Sequence, residues 1–356
     1  MRSRPSPSSG TSRPNTQVKF GVIPPLRSSR EVVKLAQVAE DAGFWCFGVP
    51  DSRPRLWQGC YPTITASLLA TERIRVAPQI SNPVNHHWSV HAAAARALEE
   101  LAPGRFMLGL ATGDGALLSV GLRMARWAEM EAAVASLREL APPNLNIFVA
   151  ASGPKGAASA GRIATDLELA VGLDVGTLQR FAARARAARQ DAGVTEPMRV
   201  WAMVPTLVVD EEDLEDARLE ARVSANSSAS FANSLEDKGI PAEWEPVIRE
   251  RLARELRTGP GYKGPEERRR TALLFEDRPD IQDYLIDRMV IVGTAEDVRN
   301  KLVKTAREAG LDGIWISMMT SPFSEDSQRA LDRLGAALEP ELRKNADELP
   351  TAVPLQ

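Results

Sequence analysis

The three histidines of the chain, His86, His87 and His91, all fall in one short segment, SNPVNHHWSVH (81–91). An imidazole whose ordinary pKa is ~6.5 exchanges protons at neutral pH, so His86 and His87 are candidates for general acid–base work. His87 and His91 are four apart and share a helix face, which is also a metal-ligand spacing. Metal sites of enclosed parallel sheets draw on several strands, and the first apolar run, FGVIPP (20–25), offers no ligand. No metal is therefore expected. Asp114, in GLATGDG (109–115), supplies a carboxyl for either a helix cap or a pocket acid.

A second chemistry is written in VAASGPKG (149–156). Ser152 and Gly153 end an apolar run, and Pro154 suits the first position of a helix. Backbone N–H groups at such a start attract anions, and Lys155 adds a positive charge. The pattern reads as a phosphate cradle or as a plain tight turn. It is not a P-loop, because the glycine spacing differs and no Lys-Ser/Thr pair follows. GLATGDG likewise does not spell the G-x-G-x-x-G of a dinucleotide-binding turn.

These residues sit at the ends of a repeating pattern. Eight apolar runs occur, at 20–23, 45–49, 74–80, 106–111, 146–151, 167–173, 199–209 and 313–319. Amphipathic segments separate them. Ser28 with Glu31 reads as a capping box, Val32, Leu35, Ala36 and Ala39 form one apolar stripe, and Gly43 ends it. Thr294 and Asp297 open a similar segment that Gly310 closes. Continuous apolar strands between amphipathic helices mean a parallel sheet covered by helices, and eight units predict an α/β fold, a (β/α)8 TIM barrel. The charged stretch at about 210–288 reads as a helical insertion between the seventh and eighth strands, broken at TGPGYKGP (258–265). The expected organisation is a disordered tail over 1–17, one barrel domain over 18–346 and a tail over 347–356.

Active sites of such barrels lie at the carboxyl ends of the strands. Here those ends carry Pro24, Asp51 and Ser52, Ser81 to Pro83, Thr112 to Asp114, Ser152 to Lys155, and Met319 and Thr320. Trp57, Trp88 and Tyr262 are candidates to line an apolar substrate pocket or to serve as packing. The 44 basic and 47 acidic residues nearly cancel, giving a net charge of −3. That balance gives no footing for nucleic acid or an anionic membrane surface. With two cysteines and no apolar run near the ~20 residues of a membrane helix, a cytoplasmic enzyme acting on a small molecule is expected.

SNPVNHH, LEELAPGRFMLGLATGD (98–114), VAASGPK and VGTAEDVRNKLVKTAREAGLDGIWI (292–316) together resemble the luciferase-like flavin-dependent oxidoreductases. The nearest branch is the methylenetetrahydromethanopterin reductase-like one, many of whose members use coenzyme F420. The resemblance implies a flavin or deazaflavin ring at the strand ends. Asp51, Gln79, Ile80, Ser81, Asn82, Thr112 and Gly113 would lie around the ring, with a non-prolyl cis bond between Gln79 and Ile80. Ser152, Gly153, Pro154 and Lys155 would hold the cofactor phosphate, and homodimers are the family expectation. Hydride transfer with F420, with His87, His86 or Asp114 as proton donor, is the implied reaction. FMN with molecular oxygen, as in a monooxygenase, is the alternative. Departures from the family are Ser52 where a His is common, His86 and Trp88 in place of Arg and Pro, and a short 141–144 connection. They keep open a third reading, a degenerate barrel that binds without catalysing.

Overall fold

The computed structural model describes residues 17–25, 28–51, 59–232, 234–258, 265–319 and 325–344. Ser52, Trp57, Tyr262, Thr320, nearly all of the 258–265 break and both tails, save Gln17, lie outside these.

The strands are β1 (Lys19–Ile23), β2 (Cys46–Val49), β3 (Arg75–Pro78), β4 (Met107–Leu110), β5 (Asn146–Ala151), β6 (Asp166–Leu169), β7 (Arg199–Val208), β8 (Ile291–Gly293) and β9 (Gly313–Met318). All pairings are parallel, in the order β3-β2-β1-β9-β7-β6-β5-β4. Parallel bridges Val76–Phe106 and Ser81–Leu110 join β3 to β4, so eight strands form a nearly closed barrel. This is the (β/α)8 fold that the alternation predicts.

Two runs of seven residues yield strands of only four. The third ends at Pro78, before a cis Gln79–Ile80 peptide, and the sixth ends at Leu169, before Gly172 turns the chain with φ 76°. The eighth run is β9, because an additional short strand precedes it. β7 is ten residues long, and its outer half pairs with β8 through Thr206–Ile291 to Val208–Gly293.

Helix ends follow the sequence signals. Ser28 and Glu31 form the capping box of helix Ser29–Ala42, and Gly43 closes it in the left-handed region at φ 90°. Thr294 and Asp297 do the same for Ala295–Ala309, which Gly310 ends. Each helix lays its apolar stripe on the outside of the barrel, forming the main core.

The barrel interior is a second apolar layer. Trp45, Phe148, Trp201 and Trp315 fill it with Met107 and Cys46. Small residues make the room: a Cβ on Gly21 would come within 2.5 Å of Cys46 Sγ and Trp315, and one on Gly313 within 2.3 Å of Trp201. At the amino ends of the strands, buried Asp166 pairs with Arg199 and accepts from Trp201 Nε1 at 3.1 Å. The barrel is thus plugged at the amino ends of its strands. Between β7 and β8 the chain forms helices Leu214–Asn226, Ala229–Ala232, Glu245–Thr258, Pro265–Ala272 and Pro279–Met289. Phe231, Leu235, Ile248, Phe275, Ile281 and Leu285 give this insertion a core of its own.

Candidate active site

A cavity of about 470 Å³ opens at the carboxyl ends of the strands. Ile80, Ala111, Glu168 and Met203 form part of its wall, from the ends of β3, β4 and β6 and the middle of β7. Ser152, Gly153, Pro154, Lys155 and Gly156, after β5, form another part. Thr112, Gly113 and Asp114 lie along it, and Ser234 and Glu236 of the insertion complete it. The helix Pro154–Ile163 starts here with Pro at its first turn, and no side chain caps its N-terminus. Its first amides and Lys155 therefore present positive potential to this part of the cavity. Asp114 opens the short helix Asp114–Leu118, and its Oδ1 accepts from Gly115 N at 2.5 Å.

A polar network stands next to Ile80. Asp51, at the end of β2, accepts from Ser81 Oγ at 2.5 Å, and His86 Nε2 lies 3.3 Å from the same carboxylate oxygen. Burial alone would raise the Asp51 carboxyl, but the hydrogen bonds from His86 and Ser81 outweigh it and hold it below its ordinary value. The same contact raises His86, against a smaller opposing effect of burial. Cys60, the first residue of helix Cys60–Leu69, joins the group, and burial followed by the Asp51 charge keeps it a thiol. Asp51, Cys60 and His86 place three possible ligand atoms within 4.8 Å of one another. This group is not the His87/His91 pairing that spacing suggests.

His91 is fully buried. Tyr61 Oη donates to Nδ1 at 2.5 Å and Nε2 donates to Asn82 O at 3.2 Å. Desolvation pushes its pKa down to about 4, so it is a neutral structural link at physiological pH. Asn82, also buried, accepts from the amides of Val84 and Asn85 and so shapes the loop after β3.

The cavity therefore gathers Ile80, Thr112, Gly113, Asp114, Ser152, Gly153, Pro154 and Lys155 of the sequence candidates. Asp51, Ser81 and His86 form the adjoining network, and Gln79 supports the wall by donating to Glu168 Oε2 at 2.6 Å. His87 does not belong to either group. It is exposed at the N-cap of helix Trp88–Leu101, with Nδ1 2.8 Å from Ser89 Oγ. The same helix start turns Trp88 onto the core and the ring of His87, away from the cavity wall. Sequence reasoning missed Glu168 and Cys60. The signal for Glu168 was available: an acid inside the apolar run DLEL, two residues from Asp166.

The family model for luciferase-like monooxygenases matches residues 6–143 and 131–313, and the chain belongs to that family. A 5,10-methylenetetrahydromethanopterin reductase of Archaeoglobus fulgidus is 22% identical over 92% of this chain and 100% of its own. The coenzyme F420-dependent tetrahydromethanopterin reductase of Methanopyrus kandleri superposes with a TM-score of 0.68 at 18% identity, covering 92% of this chain and 99% of that one. The oxygenating constituent of 3,6-diketocamphane monooxygenase of Pseudomonas putida, solved with FMN, superposes at 0.62 and 15% identity, covering 95% and 100%. Relatives thus include both F420-dependent and FMN-binding enzymes on this barrel. Among the described residues, no helix is long and apolar enough to cross a membrane.

Proposed function

We propose that this chain is an oxidoreductase that holds coenzyme F420 in the strand-end cavity and exchanges a hydride with a small organic substrate. The observation that carries the reading is the continuity of one cavity. It joins a half-buried wall formed by Ile80, Ala111 and Met203, with buried Glu168, to the uncapped helix start at Ser152–Gly156. A planar ring bearing a phosphate-containing tail needs those two surroundings in one space. Ile80, Thr112, Gly113 and Met203 would hold the ring, and Ser152, Gly153 and Lys155 the phosphate. The bound cofactor would supply the hydride chemistry, and the protein orients it and excludes water.

His86 and Asp114 remain the candidates for moving a proton. His86 is held by Asp51 and is partly exposed, at 30% for its side chain. Asp114 borders the cavity itself. His87, turned to solvent at a helix cap, is not retained in this role. FMN with oxygen as co-substrate is the second reading, favoured by the FMN-bound relative and the family's monooxygenase description.

Equilibrium binding of F420 and of FMN to the purified protein, followed by fluorescence quenching, tests the proposal. Tight F420 binding with weak FMN binding is expected. Preference for FMN would move the reading to a monooxygenase, and binding of neither would leave a barrel without redox function.

A further inference from the structure

Glu168 is a buried acid with too few partners for its position. Alternation along β6 sends Asp166 and Glu168 to the same side, into the barrel. Asp166 is matched by Arg199 and Trp201. Glu168, one layer higher and 3% exposed, borders the cavity. Gln79 Nε2 donates to its Oε2. Among the described residues, no hydrogen bond reaches Oε1 and no cation pairs with the group.

Its surroundings do not offset the burial. Glu168 acts electrostatically on the buried Cys46 thiol of β2, itself pushed up by burial, as do Arg75, Arg199 and Asp166. Around the cavity stand Lys155, Asp114 and Glu236. Desolvation accordingly pushes Glu168 up to about 7, against the opposing hydrogen bond from Gln79. The neighbouring Gln79 Oε1 is also buried and lacks a partner. An apolar side chain would fill the same space without desolvating a carboxyl. An acid kept here with one oxygen uncommitted points to a ligand in the cavity.

We propose that Glu168 is a binding residue of the cavity, held through Oε2 by Gln79 and donating its carboxyl hydrogen from Oε1 to an acceptor atom of the bound ring. The inference rests on the cofactor reading above. Flavin and deazaflavin rings carry two carbonyl oxygens and N1 along one edge as acceptors, and the N3–H between the carbonyls as a donor. A carboxylate would meet a carbonyl oxygen or N1 with lone pairs and no hydrogen. Binding therefore selects the protonated side chain and draws a proton from solution wherever the free protein has lost it.

The test is the pH dependence of FMN and F420 binding between pH 5.5 and 9 for the wild-type protein and Glu168→Gln. The amide keeps a donor and does not titrate, and any ionisation of the ring itself is common to both proteins. Below pH 6 the two affinities should agree within a few-fold. Above pH 7 the wild-type affinity should fall relative to the variant by about tenfold per pH unit. A wild-type-to-variant ratio that does not change with pH overturns the proposal. Wild-type calorimetry at pH 8 in buffers of different ionisation enthalpy gives a second readout that needs no variant. Uptake of about one proton per ligand supports the assignment, and uptake of none overturns it. If neither cofactor binds either protein at any pH, the cofactor reading fails and this inference fails with it. Binding with a flat ratio sinks the Glu168 assignment alone.

Discussion

His86 Nε2 lies 3.3 Å from Asp51 Oδ2, although the two residues leave different strands and stand 35 positions apart in the chain. The contact exists because β2 and β3 are neighbours and end at the same height. Each partner shifts the other toward its charged form. His86 is raised above 6.5, chiefly by its hydrogen bond to Asp51, and Asp51 is held below 3.8 despite its burial.

The sign of this linkage fixes a pH window. The raised histidine contributes stability that is complete below about 6.5 and is lost as pH rises through its folded value. The lowered carboxyl contributes above about 3.8, and that part is lost as pH falls through its folded value. In a proton NMR titration of the three histidines, His86 should titrate above 6.5 and His91 near 4. In Asp51→Asn, His86 should drop to 6.5 or lower, because burial is then unopposed. A His86 value that stays high in that variant would remove the ion pair as the cause.

Glu168 makes an opposite stability prediction that needs no cofactor. Its folded value is raised from 4.5 to about 7, so the folded state binds more protons between those limits. Stability falls as pH rises across that window, and the full cost, about 3 kcal/mol, persists above it. Glu168→Gln should therefore be the more stable protein at pH 8, with the gap narrowing toward pH 5. Denaturant midpoints at the two pH values decide the matter, and parallel curves would show that the carboxyl is ionised throughout.

Gly153 tests the anion end of the cavity. A Cβ added there would stand 3.0 Å from Ser234 Cβ and 3.1 Å from its Oγ, in the wall of the cavity. Gly153→Val should lower affinity for a phosphate-bearing cofactor by tenfold or more, about 1.4 kcal/mol, while the melting temperature changes little. A folded variant with unchanged affinity would take the phosphate elsewhere.

Glu40 tests the scaffold. Its carboxylate accepts from the amides of Glu72, Arg73 and Ile74 at 2.6–3.0 Å, tying helix Ser29–Ala42 to the entry of β3. Glu40→Ala leaves those donors without their partner, and a loss of about 2–4 kcal/mol is expected from urea unfolding. A loss below 0.5 kcal/mol would mean that water replaces the carboxylate freely.

How much of this was legible beforehand depends on how local each signal is. The barrel strands and the caps at Ser28, Gly43, Thr294 and Gly310 are encoded within a few residues, and periodicity exposes them. The cavity segments at Thr112–Asp114 and Ser152–Lys155 follow from the rule that barrels bind ligands at strand ends. β8 escaped notice because three residues between two helices carry no period. Glu168 escaped because an acid in an apolar run looks like a blemish until alternation and closure turn it inward. His87 drew attention through its spacing from His91, yet a residue at that offset can equally cap the helix, and here it does. Cys60 meets Asp51 from the first turn of helix Cys60–Leu69, a contact that no linear spacing reveals.

The long β7 has one more implication. Its inner half closes the barrel against β6 and β9, while its outer half carries β8 and, through it, the return of the helical insertion. Ser234 and Glu236 reach the cavity from that insertion, which has its own apolar core. One wall of the cavity thus rests on an insertion braced at two places, on β7 through β8 and on the segment after β6, where Leu173 N donates to Arg288 O and Arg288 Nε donates to Val171 O.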